Sequence, residues 1–209
     1  MTQHSQYILP LMPTLSDTKV VFLDRDGVIN RDSAAYVKSW AEFEFLPGSL
    51  AALRRMTAGG LGLIVISNQS AVNRGLVSLD TLLDMHRRLQ AEVAAAGGCI
   101  TDIFFCPHRP EDGCTCRKPL PGLVRQACRK HGIDPRQAIM VGDSLRDIEC
   151  ARNAGCKAAV LVKTGNGVST AATLARRGIP IAHVAEDLGL AADWVLAQIS
   201  ASDFTVNAS

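Results

Sequence analysis

The chain has no excess of charge of either sign. Its 22 basic and 20 acidic residues leave a formal charge of +2 over 209 residues. That balance provides no field to gather nucleic acid or an anionic membrane. There is no run of like charges and no apolar stretch long enough to span a bilayer. The first residues, MTQHSQYILPLMPTLSDT, lack the basic start and sustained apolar segment of a secretory signal. Residues 1–18 therefore read as a flexible leader, with Tyr7 to Leu11 resting on the body, and residues 201–209 as a tail. An even cysteine count is also missing: seven cysteines rule out a fully paired disulfide scaffold. The cytoplasm is the expected compartment, where reduced thiols are free to bind metal. No repeat and no linker divides the chain, so a single domain over 19–200 is expected, acting as a monomer.

What is present is alternation. KVVFLD, LGLIVISN, DIFFC, AIMVGD and AAVLV are short apolar runs of the kind buried on both faces of a sheet. Between them lie helical segments: PGSLAALRRMTAGG, SLDTLLDMHRRLQAEVAAAGG with Ser78 as N-cap, GLVRQACRKHG and LRDIECARNAG. STAATLARRG reads as helix and IPIAHVA as extended, while LGLAADWVLAQIS fits either a helix throughout or a short strand at 192–196 before a helix. Strands alternating with helices predict an α/β fold with a parallel sheet covered on both faces. Ligands in such a sheet bind beyond the carboxyl ends of the strands.

The strand ends carry the chemistry. The first ends in Asp24-Arg25-Asp26-Gly27, the second in Ser67-Asn68-Gln69-Ser70, the fourth in Gly142-Asp143-Ser144. Three carboxylates gathered at one edge, Asp24, Asp26 and Asp143, are costly to desolvate together. A hard divalent cation resolves the conflict, and magnesium takes a few protein oxygens while keeping waters and a phosphate. Lys118 and Ser67 add a cation and a hydroxyl suited to phosphate oxygens, and the helix start at Ser144-Leu145 adds backbone N–H groups. The inventory fits phosphoryl transfer, where catalysis is mostly positioning and electrostatics. Each fragment alone has a plainer reading as a loop pair, a strand end or an N-cap. An EF-hand is excluded, since Ile29 and Ala35 stand where its glycine and glutamate belong.

Taken in order, Asp24-Arg25-Asp26-Gly27-Val28-Ile29-Asn30, Ser67-Asn68-Gln69-Ser70, Lys118 and Gly142-Asp143-Ser144 with Asp147 resemble the haloacid dehalogenase-like (HAD) superfamily. The resemblance implies a Rossmann-like sheet between helices. It implies Asp24 as the nucleophile that forms an aspartyl-phosphate, and Asp26 as general acid and then base. Magnesium would be held by Asp24, Asp143 and the Asp26 main chain, the phosphoryl group by Ser67 and Lys118, and Asp147 would orient Lys118 or a metal-bound water. Within the superfamily the motifs resemble the branch acting on heptose bisphosphates, with histidinol-phosphate phosphatases as near relatives. For that branch the implied reaction is removal of a 7-phosphate in making the nucleotide-activated heptose of lipopolysaccharide. The implied substrate is a small phosphorylated sugar, touched by Arg25, Asp32, Ser33, Tyr36, Asn68, Gln69, Ser70, Arg117 and Ser144. Ser67 stands where the superfamily commonly has threonine. No insertion is long enough for a cap domain.

Cys106, His108, Cys114 and Cys116 give C-x-H…C-x-C within one Pro- and Gly-punctuated loop. Three thiolates and an imidazole suit a closed structural zinc site that would aim Arg117 and Lys118. Cys99, Cys128, Cys150 and Cys156 read as small hydrophobes. Two other readings stay open: a receiver-like module that stores a phosphoryl group, against which Asp26 argues, and a zinc-binding interaction protein, which leaves the carboxylates unexplained.

Overall fold

The computed structural model describes residue 15 and residues 18–203. The expected packing of Tyr7 to Leu11 lies outside them. Six parallel strands form one sheet: β1 (Val20–Leu23), β2 (Gly62–Asn68), β3 (Asp102–Cys106), β4 (Ile139–Gly142), β5 (Ala158–Val162) and β6 (His183–Ala185). Their order is β3-β2-β1-β4-β5-β6. β1 sits in the centre, with Val21 level with Leu63 on one side and Ile139 on the other. The helices are α1 (Ser49–Ala58), α2 (Leu79–Ala95), α3 (Gly122–His131), α4 (Leu145–Ala154), α5 (Gly167–Arg177) and α6 (Leu188–Asp203).

Strand alternation divides the core into two layers. Val21, Leu23, Leu63, Val65, Val141 and Val160 face α1, α2 and α6 through Leu53, Met56, Leu82, Met85, Ala191 and Val195. Val20, Phe22, Ile64, Ile66, Met140 and Leu161 face α3, α4 and α5 through Leu123, Ala127, Ile148 and Leu174. Both faces of the inner strands are buried, which is why their sequences are continuous apolar runs.

The segment open to two readings is settled as helix: α6 runs unbroken from Leu188, with no strand at 192–196, because Ala191, Ala192 and Val195 form one buried stripe against the sheet. It continues to Asp203, past the expected domain limit. At the other end, Leu15, assigned to the leader, is buried in the second layer and its N–H donates to the His131 carbonyl at 3.2 Å. Among the described residues no helix is long and apolar enough to cross a membrane.

The order of strands reverses at β1 and β4, so their carboxyl ends open a crevice. The stretch between β1 and α1 borders it as a folded loop. Trp40 stacks on Phe43 with ring centroids 4.8 Å apart, and Phe45 meets Phe43 edge-on at 5.2 Å. This aromatic knot, with a bridge between Asn30 and Phe45, fixes the loop that carries Asp32, Ser33 and Tyr36.

Phe22 is fully buried at the centre of the sheet. Phe22→Ala should cost about 3–5 kcal/mol of stability. A urea titration should show a lower midpoint at unchanged slope; a loss within error of zero would contradict this packing.

Candidate active site and metal cluster

A cavity of about 370 Å³ lies over the carboxyl ends of β1 and β4. At its base Lys118 is 2% exposed. Its Nζ lies 2.9 Å from Asp24 Oδ1 and 2.6 Å from Asp147 Oδ1, and donates to the Ile66 carbonyl at 2.7 Å. The Lys118 backbone is clamped by Asn68: its N–H donates to Asn68 Oδ1 at 3.0 Å, and Asn68 Nδ2 donates to its carbonyl at 3.1 Å. Asp147 is fully buried in the first turn of α4. Its Oδ2 accepts from Ser144 N at 3.0 Å and Ser144 Oγ at 2.5 Å, closing a capping box.

Asp24, Asp143 and Asp147 can each bring one carboxylate oxygen within 4.8 Å of the others. Three carboxylates around one ammonium leave two negative charges uncompensated, the charge of one divalent cation. The electrostatics record this. Burial pushes the Asp24 carboxyl up to about 8; Lys118 opposes the rise, and repulsion from Asp147, Asp143 and Asp26 adds to it. Burial and the Asp147 charge raise Asp143 to about 6. The donor set is all oxygen, as a hard cation requires. A Cβ at either Gly27 (φ +80°) or Gly165 (φ +55°) would collide with the Asp143 carboxylate, so both glycines are needed for the backbone to close around it.

Asp26 points elsewhere. It accepts from Arg25 Nη2 at 2.9 and 3.0 Å, Arg25 Nε at 3.2 Å, Asn30 Nδ2 at 2.8 Å and Gln69 Nε2 at 2.7 Å. Burial works against its ionisation, but the Arg25 charge and these donors hold its carboxyl below the ordinary range. Its side chain is not part of the three-carboxylate set.

Several expected substrate contacts are committed to the protein itself. Arg25 borders the cavity, but its guanidinium is 1% exposed, paired with Asp26, 3.4 Å from His86 Nε2 and over the Phe43 ring. A buried charge already neutralised by a carboxylate is a poor anion receptor. The Asn68 amide serves Lys118, the Ser144 hydroxyl serves Asp147, and Gln69 bridges Asp26 to the Ser67 hydroxyl, the latter at 2.9 Å. Ser67, Ser70, Asp32, Ser33, Tyr36 and Arg117 line the cavity. Tyr36 adopts φ 62°, the only left-handed residue other than glycine among those described. The sequence reading missed Arg74, Arg146 and Asn166 as part of the cavity wall. It also missed His86, which burial and the neighbouring Arg25 push down to about 3, so it stays neutral.

The Cys/His loop gathers as expected. Cys116 Sγ lies 3.1 Å from Cys106 Sγ, 3.5 Å from Cys114 Sγ and 3.2 Å from His108 Nδ1; Cys106 Sγ is 3.6 Å from Cys114 Sγ. A tetrahedral ion with sulfur ligands at about 2.3 Å puts its vertices roughly 3.5–3.8 Å apart. The four atoms thus stand near the corners of a metal's coordination shell. Arg117 Nη1 donates to the His108 carbonyl at 3.0 Å, linking this loop to the cavity.

A doubly wound sheet with an acidic, cation-demanding crevice at its switch point defines a Rossmann-like α/β protein of the phosphoryl-transfer class. The HAD-hydrolase-like family model matches residues 115–191. The D-glycero-beta-D-manno-heptose-1,7-bisphosphate 7-phosphatase of Bordetella bronchiseptica is 46% identical over 179 residues, covering 85% of this chain and 98% of its own. The D-glycero-alpha-D-manno-heptose-1,7-bisphosphate 7-phosphatase of Mycobacterium bovis is 44% identical over 140 residues, 66% of this chain and 74% of that one. The crystal structure of D,D-heptose 1,7-bisphosphate phosphatase from B. bronchiseptica, complexed with magnesium and phosphate, matches with a TM-score of 0.81 at 46% identity. It covers 87% of this chain and 99% of that one. The chain belongs to the HAD superfamily of hydrolases.

Because the Asp24 carboxyl is raised, it is mostly protonated in metal-free protein at pH 7 and must ionise to hold a cation. Titration with Mg²⁺ at pH 7 should release close to one proton per ion, falling toward none above pH 9. Calorimetry in buffers of different ionisation enthalpy reads this directly, and pH-independent heats would contradict it.

Proposed function

We propose that this chain is a magnesium-dependent phosphatase that removes the 7-phosphate of D-glycero-D-manno-heptose 1,7-bisphosphate through an aspartyl-phosphate on Asp24. The observation that carries the reading is the charge deficit at the switch point, with Lys118 held beside Asp24. The Asp24 and Asp143 carboxylates, with the Asp26 main chain, would hold Mg²⁺, which supplies charge neutralisation on the phosphoryl oxygens. Asp147 is spent on Lys118 and Ser144 and serves as their anchor.

Asp24 Oδ1 is fixed by the Arg25 N–H at 2.7 Å and by Lys118, which leaves the second oxygen to attack phosphorus. The O–P bond to Asp24 forms as the bond to the sugar oxygen breaks, and that oxygen takes the proton that Asp26 first gains from solvent when substrate binding loosens its hydrogen bonds. Asp26 then removes a proton from water as the water oxygen attacks phosphorus, releasing phosphate and restoring Asp24. Lys118 and the Ser67 hydroxyl stabilise the charge spread over the equatorial oxygens. Arg74, Arg117 and Arg146 on the cavity wall suit a substrate that carries a second phosphate. The heptose substrate is supported by the relatives' names, and a phosphatase of that substrate would serve the making of the activated heptose of lipopolysaccharide.

Asp24→Asn should cut phosphate release at least about 10³-fold while the thermal unfolding transition stays intact. A panel of both heptose bisphosphate anomers and histidinol phosphate should show preference for a heptose bisphosphate. Retained turnover in the variant, or preference for histidinol phosphate, would overturn the respective part of the reading.

We infer zinc at Cys106, His108, Cys114 and Cys116, from the ligand types and their spacing, and a reducing, cytoplasmic location for the same thiolates. The purified protein should hold one zinc per chain by elemental analysis. Cys114→Ser should lower that content, expose the 106–118 loop to protease, and reduce the rate through displacement of Arg117 and Lys118. An unchanged rate at zero zinc would remove the aiming role.

A further inference from the structure

The loop after β5 joins two parts of the cavity that no sequence motif connects. The side-chain Nδ2 of Asn166 lies 3.2 Å from Asp143 Oδ2 and 3.1 Å from Asp32 Oδ2, and its backbone N–H donates to the same Asp143 oxygen at 2.7 Å. Asn166 occupies the N-cap of α5, yet its side chain makes no capping bond. The amide is given to the two carboxylates instead. Ionised carboxylates accept hydrogen bonds and donate none, so the amide must present its nitrogen, with one hydrogen for each partner.

The position is enforced from both sides. Thr164 Oγ1 donates to the Gly27 carbonyl at 2.6 Å, and a side chain at Gly165 would strike both the Asp143 carboxylate and the Gly27 backbone. Residues 164–166 therefore rest on the catalytic turn and on the cation side of the cavity at once. Asp32 is an exposed residue of the cavity wall, carried by the loop after β1. We propose that Asn166 is a positioning residue that ties Asp143 to Asp32, so that cation binding and substrate capture depend on one amide. The inference rests on the reading of Asp143 as a cation ligand and of the cavity as a phosphoester site. Pinning Asp143 Oδ2 from outside fixes the carboxylate plane and leaves Oδ1 for the ion, the usual service of an outer hydrogen bond to a metal ligand. The same donor holds Asp32, an anion, close to a second anion that would otherwise repel it.

The test is Asn166→Ala, which removes no capping bond and should leave thermal unfolding near that of the wild type. Calorimetry without substrate should show the Mg²⁺ Kd raised about tenfold. At saturating Mg²⁺, KM for the phosphoester that the wild type turns over best should rise severalfold, with kcat changed less. Placed in an Asp32→Ala background, the same substitution should weaken Mg²⁺ by the same factor and add nothing to KM. An unaltered Mg²⁺ Kd in the folded variant, or KM effects that multiply independently, would overturn the proposal. A wild-type chain with no phosphatase activity would count against the proposed function alone, because the magnesium measurement still decides the role of Asn166 toward Asp143.

Discussion

Three buried carboxylates converge on one ammonium, and the rest of the molecule is arranged around that imbalance. Lys118 satisfies one charge among Asp24, Asp143 and Asp147 and leaves two. In a low-dielectric crevice such a deficit is met by taking up a proton or a cation. The raised Asp24 carboxyl is the proton solution, and a divalent ion is the other. The same arrangement explains why Lys118 tolerates near-complete burial: every direction it faces offers an oxygen.

The deficit is tolerable only if its members cannot move apart. The framework supplies that from three directions. β1 and β4 deliver Asp24 and Asp143 from adjacent strands in fixed register. The first turn of α4 locks Asp147 through a capping box, so the helix start and the lysine anchor are one device. Lys118 itself comes from a loop, the least rigid source. It is held by the Asn68 clamp from the end of β2 and lies two residues beyond Cys116 of the metal-type cluster. A loop with little apolar content needs such a staple, since it has no core of its own to fold around. The clamp gives an asparagine at a strand end a scaffolding role toward Lys118.

Most of the fold was legible because burial on both faces writes continuous apolar runs, and because each motif sits at a strand end. The segment that divided two ways was Leu188 onward. Its apolar residues are nearly consecutive and its alanines suit either element, so periodicity had no polar face to read. The carboxylates, Lys118 and the Cys/His loop were legible as residue types with characteristic spacing. The burial of Arg25 was not legible in the sequence, because only the folded loop brings Phe43 and His86 over it. Asn166 carried no signal, since its two partners lie 23 and 134 residues away in the chain.

Asp24 and Asp26 are two residues apart and are driven in opposite directions. Asp24 leaves the strand into a carboxylate cluster, and Asp26, after the chain turns toward Gly27, falls among Arg25, Asn30 and Gln69. Environments that push neighbouring carboxyls apart assign them different work. Near neutral pH the Asp24 carboxyl is favoured as an anion by a bound cation, so under the proposed mechanism its nucleophilicity would depend on a loaded site. Asp26 is held below the ordinary carboxyl range by the Arg25 charge and its donors, which would suit the half-reaction in which it takes a proton from water. The other half-reaction asks it to give a proton, and four donors oppose that. Under the proposed mechanism Asp26 must leave part of this cage when substrate arrives, and Gln69 is the donor that links it to the Ser67 hydroxyl. The two steps of the reaction would then be separated by the hydrogen bonding of one side chain.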